Sequence, residues 1–330
     1  MKKRIFCFGF LLFVGMHVSG QRVEYGWEFQ GIADNREFFS GYSLPETLLG
    51  SRLSVDAGPS IDTIHSVRAG FSYYYAFGAP ALETKPAPLL YYSFRSEKWN
   101  FLMGAFPRNR TLPFPSALIS EKETYYQSTL EGLSLLYASS RFSFNLWVDW
   151  QSRIDSLHRE QFLAGWAASA HWGDLRLEGH ALLFHDRPNF QRLPGDFIND
   201  YLGGCFLTAY DFSSHVPIDL FRIKAGALAS LFRNRGKGSA FEPAAAFYAV
   251  IELENKGFGI TSRFKTGAPL TFSHGDPFYR NTRTYWRTDL YLLPFRHKKI
   301  SGKLAWCFHL ADGKLDHSQQ FILTYTFQPI

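Results

Sequence analysis

Beyond its first twenty residues the chain has no apolar run that could cross a membrane as a helix. Its one such run, Ile5–Val18, falls short of the roughly 20 residues a spanning helix needs. Cysteine is scarce, with Cys7, Cys205 and Cys307 only and no Cys-x-x-Cys spacing. That excludes a disulfide scaffold and a thiolate metal site. No cysteine stands directly after the apolar run, so a lipoprotein anchor is not expected. A glycine-rich phosphate loop and a His-rich metal pattern are also missing, so no cofactor and no metal are expected. The net charge is only +6, and Lys2, Lys3 and Arg4 supply three of those charges. The remaining excess is too small and too dispersed for a nucleic-acid partner.

What is present follows two rules. Met1–Gly20 reads as a basic start, an apolar run and the small residues Ser19 and Gly20. That is the pattern of a secretory signal peptide, with cleavage expected after Gly20. From Gln21 onward, apolar and polar residues alternate with period two in segments of about ten residues. Aromatics make up 18% of the chain, as girdles at two membrane interfaces would require. The alternation cancels in the mean hydropathy of −0.16. The expected fold is all-β: a transmembrane antiparallel up-and-down β-barrel of about sixteen strands in a bacterial outer membrane. Residues 21–330 form its single domain.

Sixteen strands are predicted at roughly 22–31, 47–58, 65–77, 88–95, 98–106, 130–138, 141–151, 160–172, 174–185, 200–211, 217–232, 241–254, 257–267, 284–295, 299–310 and 317–328. The even connections are short: Gly58–Thr63, Ser96–Lys98, Ser139–Ser140, Gly173–Asp174, Phe212–Val216, Asn255–Lys256 and Arg296–Lys298. The odd ones include the long Ala33–Glu46, Gly78–Ala87, Pro107–Thr129, Asp186–Asn199 and Ala268–Arg283. Short turns face the periplasm and long loops the exterior in such barrels, so both termini are expected in the periplasm.

Alternation assigns the faces. Phe142, Phe144, Leu146, Val148 and Trp150 share the lipid side, and Ser143, Asn145, Asp149 and Gln151 the other. Opposite the lipid-facing positions lie Arg52, Asp56, Arg68, Arg95, Asp149, Arg176, Glu178, His180, Arg222, Lys224, Glu252, Arg263, Lys265, Arg287, Asp289 and Lys303, together with Glu24, Glu28 and Glu254. An Arg or Lys facing the bilayer midplane costs about 2–4 kcal/mol, so these are expected to line the lumen. Their mixed signs suit bracing across the wall; a selective pore would need a narrow ring of one sign.

Pro107–Thr129 is the third long connection, in the position where general porins carry an inward constriction loop. Arg108, Arg110, Glu121, Lys122 and Glu123 are its candidate narrowing charges. Ser169 with His171, and Glu178 with His180, are sensible hydrolytic pairs, but alternation points both inward. No catalytic residue is assigned. With no plug domain before the first strand, an energised transporter is not expected.

Asn35-Arg36-Glu37-Phe38, Gly104-Ala105-Phe106-Pro107-Arg108, Arg233-Asn234-Arg235-Gly236 and Gly275-Asp276-Pro277-Phe278-Tyr279-Arg280 resemble an uncharacterised, porin-like outer-membrane barrel family of Bacteroidetes. The aromatic last strand also resembles the signal read by outer-membrane insertion machinery. The resemblance implies fold and location and carries over no catalytic residue. The expected function is a passive or weakly selective channel for small polar solutes, with outer-membrane lipid around it. The rivals are an outer-membrane lipid-modifying hydrolase, which an outward Ser–His pair near the extracellular rim would favour, and a closed structural barrel serving a surface partner.

Overall fold

The computed structural model describes residues 21–80, 83–191, 193, 195–238 and 240–327. The expected signal segment lies outside these residues. Sixteen strands follow in order: β1 Gln21–Glu37, β2 Glu46–Ile61, β3 His65–Ala76, β4 Ala87–Arg95, β5 Trp99–Pro107, β6 Thr129–Ala138, β7 Phe142–Ser152, β8 Glu160–Trp172, β9 Leu175–Arg187, β10 Asn199–Asp211, β11 Leu220–Asn234, β12 Glu242–Asn255, β13 Phe258–Gly267, β14 Thr284–Arg296, β15 Ile300–Ala311 and β16 Lys314–Phe327. Each pairs antiparallel with its sequence neighbours, and β1 pairs with β16 to close the barrel. Closure leaves no unpaired sheet edge, the condition for backbone inside a bilayer. Among the described residues, no helix is long and apolar enough to cross a membrane; the strands do the crossing. The protein is an outer-membrane β-barrel.

Turn chemistry explains the tight connections. Lys256 and Gly257, with φ of 49° and 83°, turn β12 into β13, the left-handed pair of a two-residue hairpin. Asp312 and Gly313, with φ of 45° and 85°, do the same between β15 and β16. That second hairpin corrects the sequence-based boundaries, which left 311–316 open. One connection at the long-loop end is therefore a two-residue turn.

Side chains alternate as period two demands. On β2, Leu48, Gly50, Arg52, Ser54 and Asp56 are buried while Leu49 and Leu53 are exposed. On β7, Phe142, Leu146 and Trp150 stand outward, and Asn145, Trp147 and Asp149 are buried inside. Trp147 breaks the apolar-out pattern. Its inward turn has a purpose described below. At the short-turn end Trp27 stacks on Tyr325 at 4.7 Å and Tyr25 on Phe327 at 5.7 Å, outward pairs that suit an interfacial girdle.

The outward face sets a first expected result. Leu146→Arg should lower barrel stability by about 2–4 kcal/mol, the cost of a cation facing the bilayer midplane. Urea unfolding in lipid vesicles reads it. A loss under about 0.5 kcal/mol would contradict the outward placement.

Candidate functional site

The lumen divides into a charged region and a packed one. In the charged region opposite signs meet across neighbouring strands. Arg68 pairs with Asp56 and with Glu24 at 3.4 Å, and Arg95 reaches the same Glu24 at 3.8 Å. Arg52 bonds Gln30 at 2.7 Å and faces Glu28 at 3.7 Å. Glu178 takes Arg176 at 2.9 Å and Lys224 at 3.4 Å. Arg222 and Lys224 share Glu252 at 3.5 and 3.3 Å. Arg263 and Arg287 share Asp289 at 2.6 and 2.7 Å. Lys265, fully buried, donates to the Thr282 carbonyl. Lys303 lies over the Tyr291 ring. His180 meets the edge of Phe114 at 5.3 Å. Apart from Lys265 and Lys303, the structure gathers these charges into pairs of opposite sign.

The packed region is made by two loops that enter the barrel. The first runs from β5 to β6. Arg108 anchors it on Asp149 at 2.6 Å, and Leu112 donates its N–H to the Asn145 amide oxygen at 3.0 Å. Phe114 then packs edge-on against Trp147 at 5.6 Å, which is why that tryptophan faces inward. Ala117, Leu118 and Ile119 are buried at the centre. A short helix, α1 (Glu121–Tyr126), follows, capped by the Ser120 hydroxyl. Glu121 reaches Arg287 at 2.8 Å and Lys122 reaches Glu46 at 2.6 Å. Glu123 lies 3.9 Å from His274. Arg110 keeps its Nε buried with no hydrogen-bond partner among the described residues.

Sequence reasoning found the second loop, between β13 and β14, but missed that it enters the barrel. Its backbone pairs with the first: Asp276 N–H to the Ser116 carbonyl and Ser120 N–H to the His274 carbonyl, both at 2.9 Å. Leu270, Phe272, Phe278 and Tyr279 are buried beside Leu118, Leu228, Tyr248 and Tyr285. A second short helix, α2 (Pro277–Asn281), is capped by Asp276. Gly203 and Gly275 matter here. A Cβ at Gly203 would meet Leu118 at 2.8 Å, and one at Gly275 would meet the Ala117 carbonyl at 2.2 Å. Gly203 on β10 lets the wall approach the first loop, and Gly275 lets the two loops approach each other. Gly275-Asp276-Pro277 was the available sequence signal, as a turn leading into a capped helix.

Two loop side chains make the packing pH-sensitive. Burial pushes the His274 imidazole down to about 4, with Arg108 and Arg280 adding to the shift. Burial pushes the Glu121 carboxyl up, but the facing Arg287 outweighs it and brings it to about 2. Both groups have folded values below their free values of 6.5 and 4.5. Each therefore contributes stability that is full above its free value and lost as pH falls through its folded one. The loops should loosen between pH 6.5 and 4 as His274 is forced to charge. Single-channel recording should show openings appearing over that range in the native chain and fewer in His274→Gln. Identical pH profiles would remove His274 from the effect.

Beside the first loop, against β1, β2 and β16, lies a cavity of about 570 Å³. Arg52, Arg110, Phe114, Tyr125, Trp147 and Lys303 are among its lining. Among the described residues the inward histidine pairs lead to no nucleophile. Ser169 bonds Ser143 at 2.9 Å rather than His171. Among the described residues no cluster of His, Cys, Asp or Glu fits a metal ion, and Cys205 and Cys307 are both buried free thiols.

The outer wall holds a polar group that the sequence did not disclose. At the long-loop end His185, Asp200 and Arg233 stand directly opposite one another on β9, β10 and β11. His185 Nδ1 lies 2.8 Å from Asp200 Oδ1, and Arg233 and Arg235 both donate to Asp200 Oδ2, at 2.6 and 2.9 Å. Only strand register brings these residues together.

The fold is that of known outer-membrane barrels. Salmonella typhi OmpF, in a complex with daunomycin, is 12% identical at a TM-score of 0.55, covering 93% of this chain and 98% of that one. Vibrio cholerae OmpT is 9% identical at 0.55, covering 94% and 99%. At such identities the likeness is one of architecture. No curated protein matches the sequence. The model of one family, described as lipid A 3′-O-deacylase-type, spans residues 21–329, and the chain belongs to that family.

Proposed function

We propose that this chain is an outer-membrane hydrolase that removes an ester-linked acyl chain from lipid A, with its long connections at the cell surface and both termini in the periplasm. The observation that carries the reading is the family match over nearly the whole barrel. The geometry supports it in two ways. Two loops with buried aromatic and aliphatic side chains occupy the lumen, which disfavours a general diffusion pore. Polar chemistry also sits on the outer wall, where a lipid substrate has access. The short turns at one end and the long connections at the other support the orientation.

The test uses folded protein in vesicles containing lipid A, with mass spectrometry of the lipid. The expected product has lost one ester-linked acyl chain, with the matching free fatty acid released. Unchanged lipid from a folded preparation would overturn the reading. A passive channel for small polar solutes is the second reading, favoured by the cavity beside the first loop. It requires sustained conductance in planar bilayers and no change in the lipid.

A further inference from the structure

We propose that His185 is the general base of this hydrolase on the outer face of the barrel, positioned by Asp200, and that Arg233 and Arg235 hold a phosphate of the same glycolipid. The inference rests on the deacylase reading and gives it a site.

Register places the group. Trp150, Phe162, His185, Asp200 and Arg233 are successive directly opposed residues across β7 to β11, so they form one continuous row across the wall, beside the long-loop ends of β9 to β11. Phe184 and Leu182, one and three residues from His185 on β9, and Cys205, five residues from Asp200 on β10, are buried in the lumen core; at such odd spacings side chains point to opposite faces, so this row faces outward. Charged groups on the lipid side are unfavourable at membrane depth and tolerated near the interfaces. His185, Asp200 and Arg233 lie within two residues of the long-loop ends of β9, β10 and β11, which suits the interface where lipid headgroups meet acyl chains.

The chemistry follows from the contacts. A carboxylate only accepts hydrogen bonds, so the 2.8 Å contact to Asp200 assigns the proton of neutral His185 to Nδ1. Nε2 is then the basic nitrogen. Phe162 stacks on the imidazole at 5.0 Å and Trp150 on Phe162 at 5.4 Å. These rings offer an apolar bed for acyl chains beside the base. On the other side stand two guanidiniums against one carboxylate. With His185 neutral the group carries one surplus positive charge. Arg235 is half-exposed, and Arg233 lies over the Phe241 ring at 4.4 Å. Arginine forks suit phosphate oxygens, and lipid A is a phosphorylated, ester-acylated sugar.

In the proposed step His185 Nε2 takes a proton from water, and the water oxygen bonds to the ester carbonyl carbon. The ester C–O bond then breaks. The proton passes from Nε2 to the departing sugar oxygen, leaving a free fatty acid and a sugar hydroxyl. Asp200 acts as a positioning residue that holds the ring and its tautomer. The lumen histidines cannot substitute, because the closed wall separates them from lipid. His317, on the far arc of the rim, lies 3.5 Å from Glu37 and has no arginine pair beside it.

The experiment compares full-length folded variants in vesicles with lipid A, checking folding by heat-modifiable gel mobility. His185→Asn should lower the deacylation rate by at least about 100-fold, the scale of a lost general base, while His317→Asn retains it. Arg233→Gln with Arg235→Gln should raise KM on phosphorylated lipid A and abolish the preference over dephosphorylated lipid A. An active native chain with His185→Asn within twofold of it would place the chemistry elsewhere and leave the deacylase reading intact. Equal native rates on phosphorylated and dephosphorylated lipid A would overturn the phosphate role. A folded native chain that leaves lipid A untouched would overturn the deacylase reading and this site with it.

Discussion

Deleting Leu112–Lys122 should convert a barrel of low conductance into a wide pore. The segment supplies Leu118, with no exposed surface, and Phe114, packed on Trp147. It also supplies Glu121, which ties the loop to Arg287 on β14. Its backbone holds the second loop through Ser116 and Ser120. Removing it takes away both the filler and the partner of Phe272 and Phe278. Sixteen strands enclose enough width for an aqueous channel once the interior is emptied. Single-channel conductance in planar bilayers should rise several-fold, and lumen charges should then make it salt-dependent over the roughly 10 Å screening length at about 0.1 M. Unchanged conductance in a folded variant would mean that the first loop does not close the barrel.

The barrel was legible because its signal is repeated. Each strand carries a weak period-two pattern, and sixteen with short turns at one end leave little alternative. Along β2, buried Arg52, Ser54 and Asp56 alternate with the less buried Leu53, Val55 and Ala57, the period that made the strand readable. Trp147 was less legible. Its inward position depends on Phe114, which is 33 residues earlier in a loop, and an aromatic on a barrel strand reads first as lipid-facing. Phe272, Phe278 and Tyr279 were hidden for the same reason. Loops are expected to be wet, and aromatic loop residues give no periodic signal of burial. The His185–Asp200–Arg233 group was invisible in a different way. Its members are spread along the chain, and their contact is set by the registers of β9 to β11. A one-residue slip would separate them, since it sends alternate side chains to opposite faces.

Arg287→Met should be the most damaging single substitution in the lumen. Arg287 is 2% exposed and Asp289 1%. The guanidinium bonds Asp289 at 2.7 Å through Nε and Glu121 at 2.8 Å through Nη2. Arg263 holds the other Asp289 oxygen at 2.6 Å. Two guanidiniums and two carboxylates thus balance in a site with little water. Methionine keeps much of the stem volume and removes one positive charge. Asp289 and Glu121 are left with Arg263 alone. Breaking one member out of a buried pair typically costs about 3–5 kcal/mol, because the remaining charge is stranded. Arg287→Met with Asp289→Leu removes one charge of each sign, leaving Arg263 and Glu121 to balance. That double variant should recover more than half of the loss, since an apolar pair of similar volume replaces a buried ion pair with little penalty. Urea unfolding of vesicle-reconstituted barrel measures both. If the double variant is as unstable as the sum of its two single substitutions, the residues act independently, and the lumen is not braced by this network.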